Sequence, residues 1–310
     1  MSAPVVILLA SYQGGEHIAA QLDSIARQTH ADWSLIVSDD ASRDDTCAIV
    51  RDFAERMRPG QVQLVQGPAQ GATANFLTLL DHAPRGAMIA FCDQDDHWLP
   101  HKLEWAVEYL SRQDGPAHYA ARTIITDQQL RPLTQSRHFP RPLGFRNAVV
   151  QAIMAGNTSV FNAAAADLLR QGAPFALKAG ILSHDWWAYQ LTSGVGAALW
   201  HDPRPALLYR QHDRAEVGRN DTLPALAARL RKLLAGDFGA WMAANHAALV
   251  PMQDHLTARN RDILDRVDKM LSQPGPKALL TMRQAGLYRQ TRPGNVALAA
   301  TVAAGRLRRR

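Results

Sequence analysis

Up to about residue 130, short β-rich apolar runs alternate with stretches whose apolar residues recur at helical spacing, and this rhythm constrains the chain more than any other feature. "VVILLA" from Val5 is followed by Ile18, Leu22 and Ile25 at helical spacing, "WSLIV" from Trp33 by Ile49, Val50, Phe53 and Met57, and "VQLV" from Val62 by Phe76, Leu79 and Leu80. "AMIAFC", ending at Cys92, then runs into a cluster of acids. Strands that are apolar throughout must be covered on both faces, and helices between them supply the cover. The expected fold is therefore α/β, a mostly parallel sheet flanked by helices. In such sheets ligands bind beyond the carboxyl ends of the strands, so the residues that directly follow each apolar run are the candidate site.

The rhythm stops at a Pro- and Arg-rich connection between about Gln128 and Phe145, which has neither period and predicts a mobile loop or lid. A strand-like "TSVFN" then feeds an Ala-rich helix, and "SHDWWAYQL" follows. From Pro224 onward the pattern is helical almost throughout, with Leu223, Leu226, Leu230, Leu233 and Leu234 forming an apolar stripe flanked by Arg229, Arg231 and Lys232, and "QPGPK" at 273–277 breaking the run. The organisation expected is an α/β domain over 1–220 and a basic helical extension over 221–310. Residues 221–310 hold 15 Lys and Arg against 6 Asp and Glu, while residues 1–220 hold 19 against 22. A basic segment on a mildly acidic body suits an anionic membrane surface or another acidic face, and a solvated helical surface has the same composition. No nucleic-acid partner is expected.

With 310 residues, 47% of them hydrophobic, the chain is able to bury a sizeable core. Cys47 and Cys92 are too few for a disulfide framework and have no zinc-ligand spacing, which fits a reducing cytosol. Val5 to Ala10 is shorter than a signal-peptide core and lacks a basic flank, and no apolar run nears the roughly 18 residues of a membrane span. A cytoplasmic protein is expected.

Two acidic clusters stand at strand ends. In "LIVSDDASRDDT", Ser42 or Asp44 can cap the helix that starts near Thr46, but capping does not account for the doublet Asp39 and Asp40, where a carboxylate can accept hydrogen bonds from a base or a ribose. In "FCDQDDHWLPHKL", Asp93, Asp95 and Asp96 crowd three carboxylates into four positions, and their repulsion calls for a neutralising cation. A hard divalent ion, Mg²⁺ or Mn²⁺, takes one or two protein carboxylates and leaves its other positions to water and phosphate. A solvated acidic turn before a helix, with Pro100 as an early helical position, is the structural alternative. His97 and His101 are four apart, but Pro100 between them argues against a helical zinc face.

Taken in order, these segments resemble the family 2 glycosyltransferases, inverting enzymes of the GT-A fold with nucleotide-sugar donors. "VVILLASYQGGEHIAAQLDSIARQTHADWSLIVSDDASRDDT" is similar to that family's opening strand, helix and acidic turn, and "FCDQDDHWLPHKL" to its D-x-D segment. "GNTSVFN", "SHDWWAYQL" and "YRQH" resemble the bacterial rhamnosyltransferase-like branch. The resemblance covers roughly residues 4 to 220. It implies that Ala10, Ser11 and Tyr12 face the nucleotide, that Asp40 holds the base, that Asp93 lies near the ribose, and that Asp95, with the adjoining acid Asp96 sharing its role, binds the metal with His212. It also implies that Asp185 is the catalytic base, that Arg210 approaches the diphosphate, and that Gly156, Asn157, His184, Trp186 and Trp187 contact the donor sugar or acceptor. Trp186 and Trp187 offer an apolar surface for a sugar ring, or core residues at a helix start. Ala41 stands where the family more often has Gly, and His184 where it more often has Glu.

The implied reaction moves a sugar, L-rhamnose from dTDP-rhamnose or another dTDP- or UDP-sugar, to a hydroxyl of a bacterial surface polysaccharide or lipid-linked glycan. The basic extension would hold the enzyme on the inner face of the plasma membrane. Two other readings fit parts of the pattern. A metal-dependent phosphohydrolase would use Asp93 as phosphoryl acceptor, but its signature has Thr or Val where His97 stands. A non-catalytic nucleotide-sugar-binding scaffold would not need Asp185.

Overall fold

Val5, Ile7 and Leu9 belong to one buried apolar cluster and Val6, Leu8 and Ala10 to another, as the two-residue period of a strand covered on both faces requires. The computed structural model describes residues 3–211 and 237–309. The strand that carries these residues, β1 (Val5–Ser11), lies between β2 (Trp33–Asp39) and β4 (Met88–Asp93), with β3 (Val62–Gln66) outside β2, all parallel. Beyond β4 the sheet turns mixed. β8 (Val160–Phe161) is antiparallel to both β4 and β6 (Ala117–Thr126), β9 (Ala198–Arg210) is parallel to β6, and β5 (His97–Trp98) closes the order 3-2-1-4-8-6-9-5.

Helices cover both faces. α1 (Ile18–Ala26), α2 (Thr46–Glu55) and α4 (Lys102–Leu110) contribute Ile18, Leu22, Val50, Phe53 and Leu103 to one cluster. α3 (Ala72–Leu79), α6 (Ala163–Ala179) and α7 (His184–Gly194) contribute Phe76, Leu169 and Trp187 to the other. Between them in the chain lies a one-turn helix, α5 (Phe145–Ala148). After the second described segment begins, α8 (Asp237–Leu249), α9 (Ala258–Ser272), α10 (Gly275–Ala285) and α11 (Arg292–Ala303) follow, and their Phe238, Met242, Leu264, Met282 and Leu298 join the same cluster as α3, α6 and α7. These C-terminal helices thus complete the core on that face of the sheet. The apolar stripe from Leu223 to Leu234 lies outside the described residues.

Two local expectations change. The segment read as a mobile loop or lid contains a strand, β7 (Pro132–Gln135), antiparallel to β6, and its far end is tied to the C-terminal helices: the Arg141 N–H donates to Gln290 Oε1 at 3.0 Å and the Tyr288 hydroxyl to the Pro142 carbonyl. A Pro is tolerated there because β7 is an exposed edge, where one missing donor costs little. Pro100 precedes α4 instead of starting it, and its carbonyl accepts from the Thr29 N–H at 2.9 Å.

Candidate active site

The strand order places the crevice. From β1 the chain moves outward to β2 and β3, then returns across β1 to β4, so the switch point lies between the carboxyl ends of β1 and β4. There the register sets Ala10 opposite Asp93 and Ser11 opposite Asp39. The Gln94 side chain clasps the backbone of Tyr12 across this crevice: its Oε1 accepts from the Tyr12 N–H and its Nε2 donates to the Tyr12 carbonyl, both at 2.9 Å. Gly14 makes room for the clasp, since a Cβ there would lie 2.1 Å from Gln94 Oε1. The loop is stitched to the next one by the Gln13 N–H to Ser42 Oγ and the Gly14 N–H to Thr46 Oγ1, both 2.8 Å. Tyr12 itself projects outward, 57% exposed.

Backbone strain gathers at this edge. Gln13, Ala41 and Ala69, in the loops after β1, β2 and β3, have φ of +50°, +69° and +56°. Each non-glycine residue in that region costs about 1–3 kcal/mol, which the surrounding hydrogen bonds must offset. Ala41 keeps the left-handed turn that Gly would adopt without strain, so the substitution retains the turn geometry.

The acidic doublet divides its work. Asp39 accepts from the Ser11 hydroxyl at 3.0 Å and from the Ser42 N–H and hydroxyl at 2.8 and 2.6 Å, stapling the turn. Asp40, also buried, accepts the Ala69 N–H at 2.6 Å and the Gly71 N–H at 2.7 Å, one on each oxygen. It therefore shapes the loop after β3. A carboxylate has about four acceptor sites, so these two bonds leave capacity for a ligand.

In the "DQDD" turn the three acids differ. Asp93 and Asp95 are half-buried, while Asp96 is wholly buried, with Oδ2 accepting from Asn157 Nδ2 at 2.7 Å and Oδ1 without a partner. Burial, then the charges of Asp95 and Asp93, raise the Asp96 carboxyl well above its ordinary value. Beneath it lies Lys102, also wholly buried, whose Nζ donates to the Asn157 carbonyl at 2.6 Å and sits 3.2 Å from the centre of the Trp98 ring. Its burial brings the ammonium down to about 7.

Asp96 thus turns one oxygen inward to Asn157, and Asp93 and Asp95 are the half-buried acids of this turn. Among the described residues no three His, Cys, Asp or Glu side chains gather into a metal-binding group. The Asp95 carboxylate is nonetheless the donor type of a hard ion that draws most of its ligands from phosphate and water. His212 lies outside the described residues.

Asp185 is in the first turn of α7. Its Oδ2 accepts the Gly156 N–H at 3.0 Å; its Oδ1 accepts the Trp186 N–H at 2.6 Å and the Ser183 hydroxyl. Gly156 allows this approach: a Cβ there would meet His184 Nε2 at 2.7 Å and Asp185 Cβ at 3.2 Å. His184 stacks on Phe76 with ring centres 3.9 Å apart and meets Phe91 edge-on at 5.1 Å, and burial lowers its imidazole to about 4, so it is neutral near pH 7. Its Nε2 is out of solvent and without a partner in the protein. Gly156 and Asn157 are consecutive, one holding Asp185 and the other Asp96. A single short turn therefore couples the acidic loop to the acid on α7.

Two expected sugar contacts, Trp186 and Trp187, are core residues instead. Trp186 is buried, stacks on Phe238 at 5.6 Å and donates its indole N–H to the Ala148 carbonyl at 2.6 Å. Trp187 is wholly buried against Gly172. Both are core residues, because α7 is packed between the sheet and the C-terminal helices, and neither offers a ring to a sugar. Arg210 is buried and donates Nε to the Asp95 carbonyl at 3.1 Å and NH1 to the Gln128 carbonyl, so it holds the backbone of the acidic turn. Gln94, Lys102 and Ser183 were not singled out from sequence. Of these only Lys102 left a trace, as the Lys-Leu pair after Pro100 in the D-x-D segment.

Comparison with known proteins identifies the family and the fold. The model of the family described as "Glycosyl transferase family 2" matches residues 6–167, more than half of the chain, and the chain belongs to that family. It is 27% identical over 240 residues to the dTDP-rhamnosyl transferase RfbG of Shigella flexneri, covering 72% of this chain and 78% of that one. It is 32% identical over 127 residues to the UDP-Glc:alpha-D-GlcNAc-diphosphoundecaprenol beta-1,3-glucosyltransferase WfgD of Escherichia coli, covering 41% of this chain and 48% of the relative. The mannosyltransferase PcManGT of Pyrobaculum calidifontis, solved with GDP-Man and Mn²⁺, shares the fold with a TM-score of 0.54 at 18% identity, over 98% of this chain and 86% of that one. The architecture is the GT-A fold, and the protein is a glycosyltransferase.

Proposed function

We propose that this enzyme transfers L-rhamnose from dTDP-rhamnose, with inversion, to a hydroxyl of a bacterial surface polysaccharide or lipid-linked glycan. The observation that carries the chemistry is the turn at Gly156 and Asn157, which fixes Asp185 relative to the acidic loop. The acceptor hydroxyl donates to Asp185, which takes its proton as the oxygen bonds to the sugar's anomeric carbon and the bond to the diphosphate breaks on the opposite face. The hydrogen bonds from Gly156, Ser183 and Trp186 hold the carboxylate for that attack. Asp95 would hold Mg²⁺ or Mn²⁺, which supplies charge stabilisation to the departing diphosphate, and Asp93 would lie near the ribose. Ala10, Ser11, Tyr12 and Asp40 would receive the nucleotide, and His184, neutral beside Asp185, would line the sugar's side of the crevice.

Rhamnose is supported by the similarity to RfbG, and a lipid-linked acceptor by the similarity to WfgD. No helix of the described residues is long and apolar enough to cross a membrane. The excess of Lys and Arg over residues 221–310 supports peripheral attachment to an anionic cytoplasmic leaflet. Turnover of dTDP-rhamnose, UDP-Glc, UDP-GlcNAc and GDP-Man, each with Mg²⁺ and with Mn²⁺, tests the donor. Preference for dTDP-rhamnose is expected, and equal nucleotide release from all four would remove the rhamnose assignment.

A further inference from the structure

On the side of the sheet where α4 lies over β6 and β9, Trp105, Glu108 and Tyr109 of α4, at the i, i+3, i+4 spacing of one helix face, and Arg112 in the turn after it meet Trp200 and Arg204 of β9. They line a surface pocket of about 170 Å³. Its aromatic rings are mostly covered: Tyr109 stacks on Trp200 with ring centres 5.9 Å apart, and Trp105 carries the Arg204 guanidinium at 4.2 Å and the His101 ring at 5.6 Å, which leaves Trp200 as the open aromatic surface. Trp200 is 44% exposed, a large apolar residue left facing water.

The polar groups are fixed. Arg204 donates Nε and NH2 to Asp202, at 3.0 to 3.1 Å and 2.6 Å, and Asp202 is buried and also accepts from the Tyr119 hydroxyl at 2.9 Å. Glu108 pairs with Arg112 at 2.7 Å. Two acids and two arginines leave the pocket electrically balanced, which disfavours a nucleotide or a phospholipid headgroup. Four charged side chains disfavour a purely apolar occupant. The exposed Trp200 ring, bordered by the pre-set Glu108, Arg112 and Arg204, suits a neutral polyhydroxylated ring, whose C–H face packs on the aromatic plane while its hydroxyls reach the rim.

We propose that this pocket is a glycan-binding subsite, separate from the transfer centre, that holds a sugar unit of the acceptor chain. It lies toward the amino end of β9, whereas Arg210 at the other end supports the acidic turn. At about 3.3 Å per residue, Trp200 and Arg210 are on the order of 30 Å apart. The sugar held here is therefore not the one that reacts. Holding a remote part of a long acceptor raises the effective concentration of its growing end at the crevice. The inference rests on the acceptor being a glycan, as proposed above.

The test uses rhamno- and gluco-oligosaccharides of one to eight residues, titrated without donor by tryptophan fluorescence and assayed as acceptors. Trp200→Ala is expected to weaken binding of the longer oligosaccharides at least tenfold and to raise their KM, with KM for short acceptors and for donor unchanged; Trp200→Phe should retain most of the binding. Glu108→Gln, at an exposed position, gives a second reading if Trp200→Ala does not fold, with a several-fold loss expected. Equal affinity in the wild type and in these variants overturns the inference, as does a wild type that binds none of the oligosaccharides. A change of oligomeric state in Trp200→Ala, seen by size-exclusion chromatography without a change in glycan affinity, would make the pocket a protein interface and also overturn it. Transfer that proceeds with no dependence on Trp200 leaves the proposed function standing alone. Trp200-dependent binding in an enzyme that transfers to no glycan leaves the subsite standing alone.

Discussion

Gly156 has two tasks at once: its N–H holds Asp185, and its lack of a side chain admits His184 Nε2 to within 2.7 Å of where a Cβ would sit. Gly156→Ala must displace the turn or the His184 ring, and a misplacement near 1 Å at a reacting group costs up to roughly 100-fold. A fall in kcat of about 10- to 100-fold, with donor KM little changed, is the expected kinetic result. The opposite sign is expected at Ala41, whose φ of +69° suits glycine. Ala41→Gly relieves strain and gives back some chain entropy, for a net gain of up to about 1 kcal/mol in urea denaturation. The sequence marked both positions, one as a Gly and the other as an Ala where Gly is usual. It did not reveal that both oxygens of Asp40 bond the amides of Ala69 and Gly71, or that Asp96 turns inward to Asn157, because those partners are distant along the chain.

Elements with a long repeat were legible and short ones were not. β1, β2, β3 and β4 and the helices after them follow from apolar runs and helical spacing. β5 and β8 are two residues each, too short to carry any period, and β7 is wholly exposed, so nothing in its composition shows which strand it pairs with. The mixed half of the sheet was therefore hidden. It is held partly by His118 of β6, wholly buried, whose ring nitrogens meet Thr192 Oγ1 of α7 at 3.1 Å and Ser159 Oγ at 2.9 Å. Burial lowers this imidazole to about 3. With the folded value below the unfolded value near 6.5, the unfolded chain binds the extra proton first as pH falls, so stability is present above 6.5 and is lost toward pH 3. His184 and His201, each lowered to about 4, act in the same direction. The melting temperature should fall steadily from pH 6.5 to 4, and His118→Gln should flatten that slope; an unchanged slope would contradict the neutral buried His118.

At the scale of the whole molecule, the division expected at residue 220 separates charge more clearly than it separates packing. Phe238, Met242, Leu264, Met282 and Leu298 share one core cluster with Val6, Leu8 and Trp187, so the C-terminal helices and the sheet bury one another. The helical pattern of this region was readable, but what its apolar faces meet was not, since periodicity shows that a face is buried and not against what. The same packing explains Trp186, on which Phe238 of α8 stacks, while Trp187 is buried against Gly172 of α6. What remains toward solvent is the crevice between β1 and β4, with the acidic turn and Asp185 joined through Gly156 and Asn157. The central claim is single displacement in that crevice with Asp185 as base. It is tested most directly by NMR of the anomeric configuration of the product formed from dTDP-rhamnose with Mg²⁺, in the wild type and in Asp185→Asn. Inversion is predicted, with turnover in Asp185→Asn reduced by about 100-fold or more; a product of retained configuration, or full turnover in Asp185→Asn, would contradict the account.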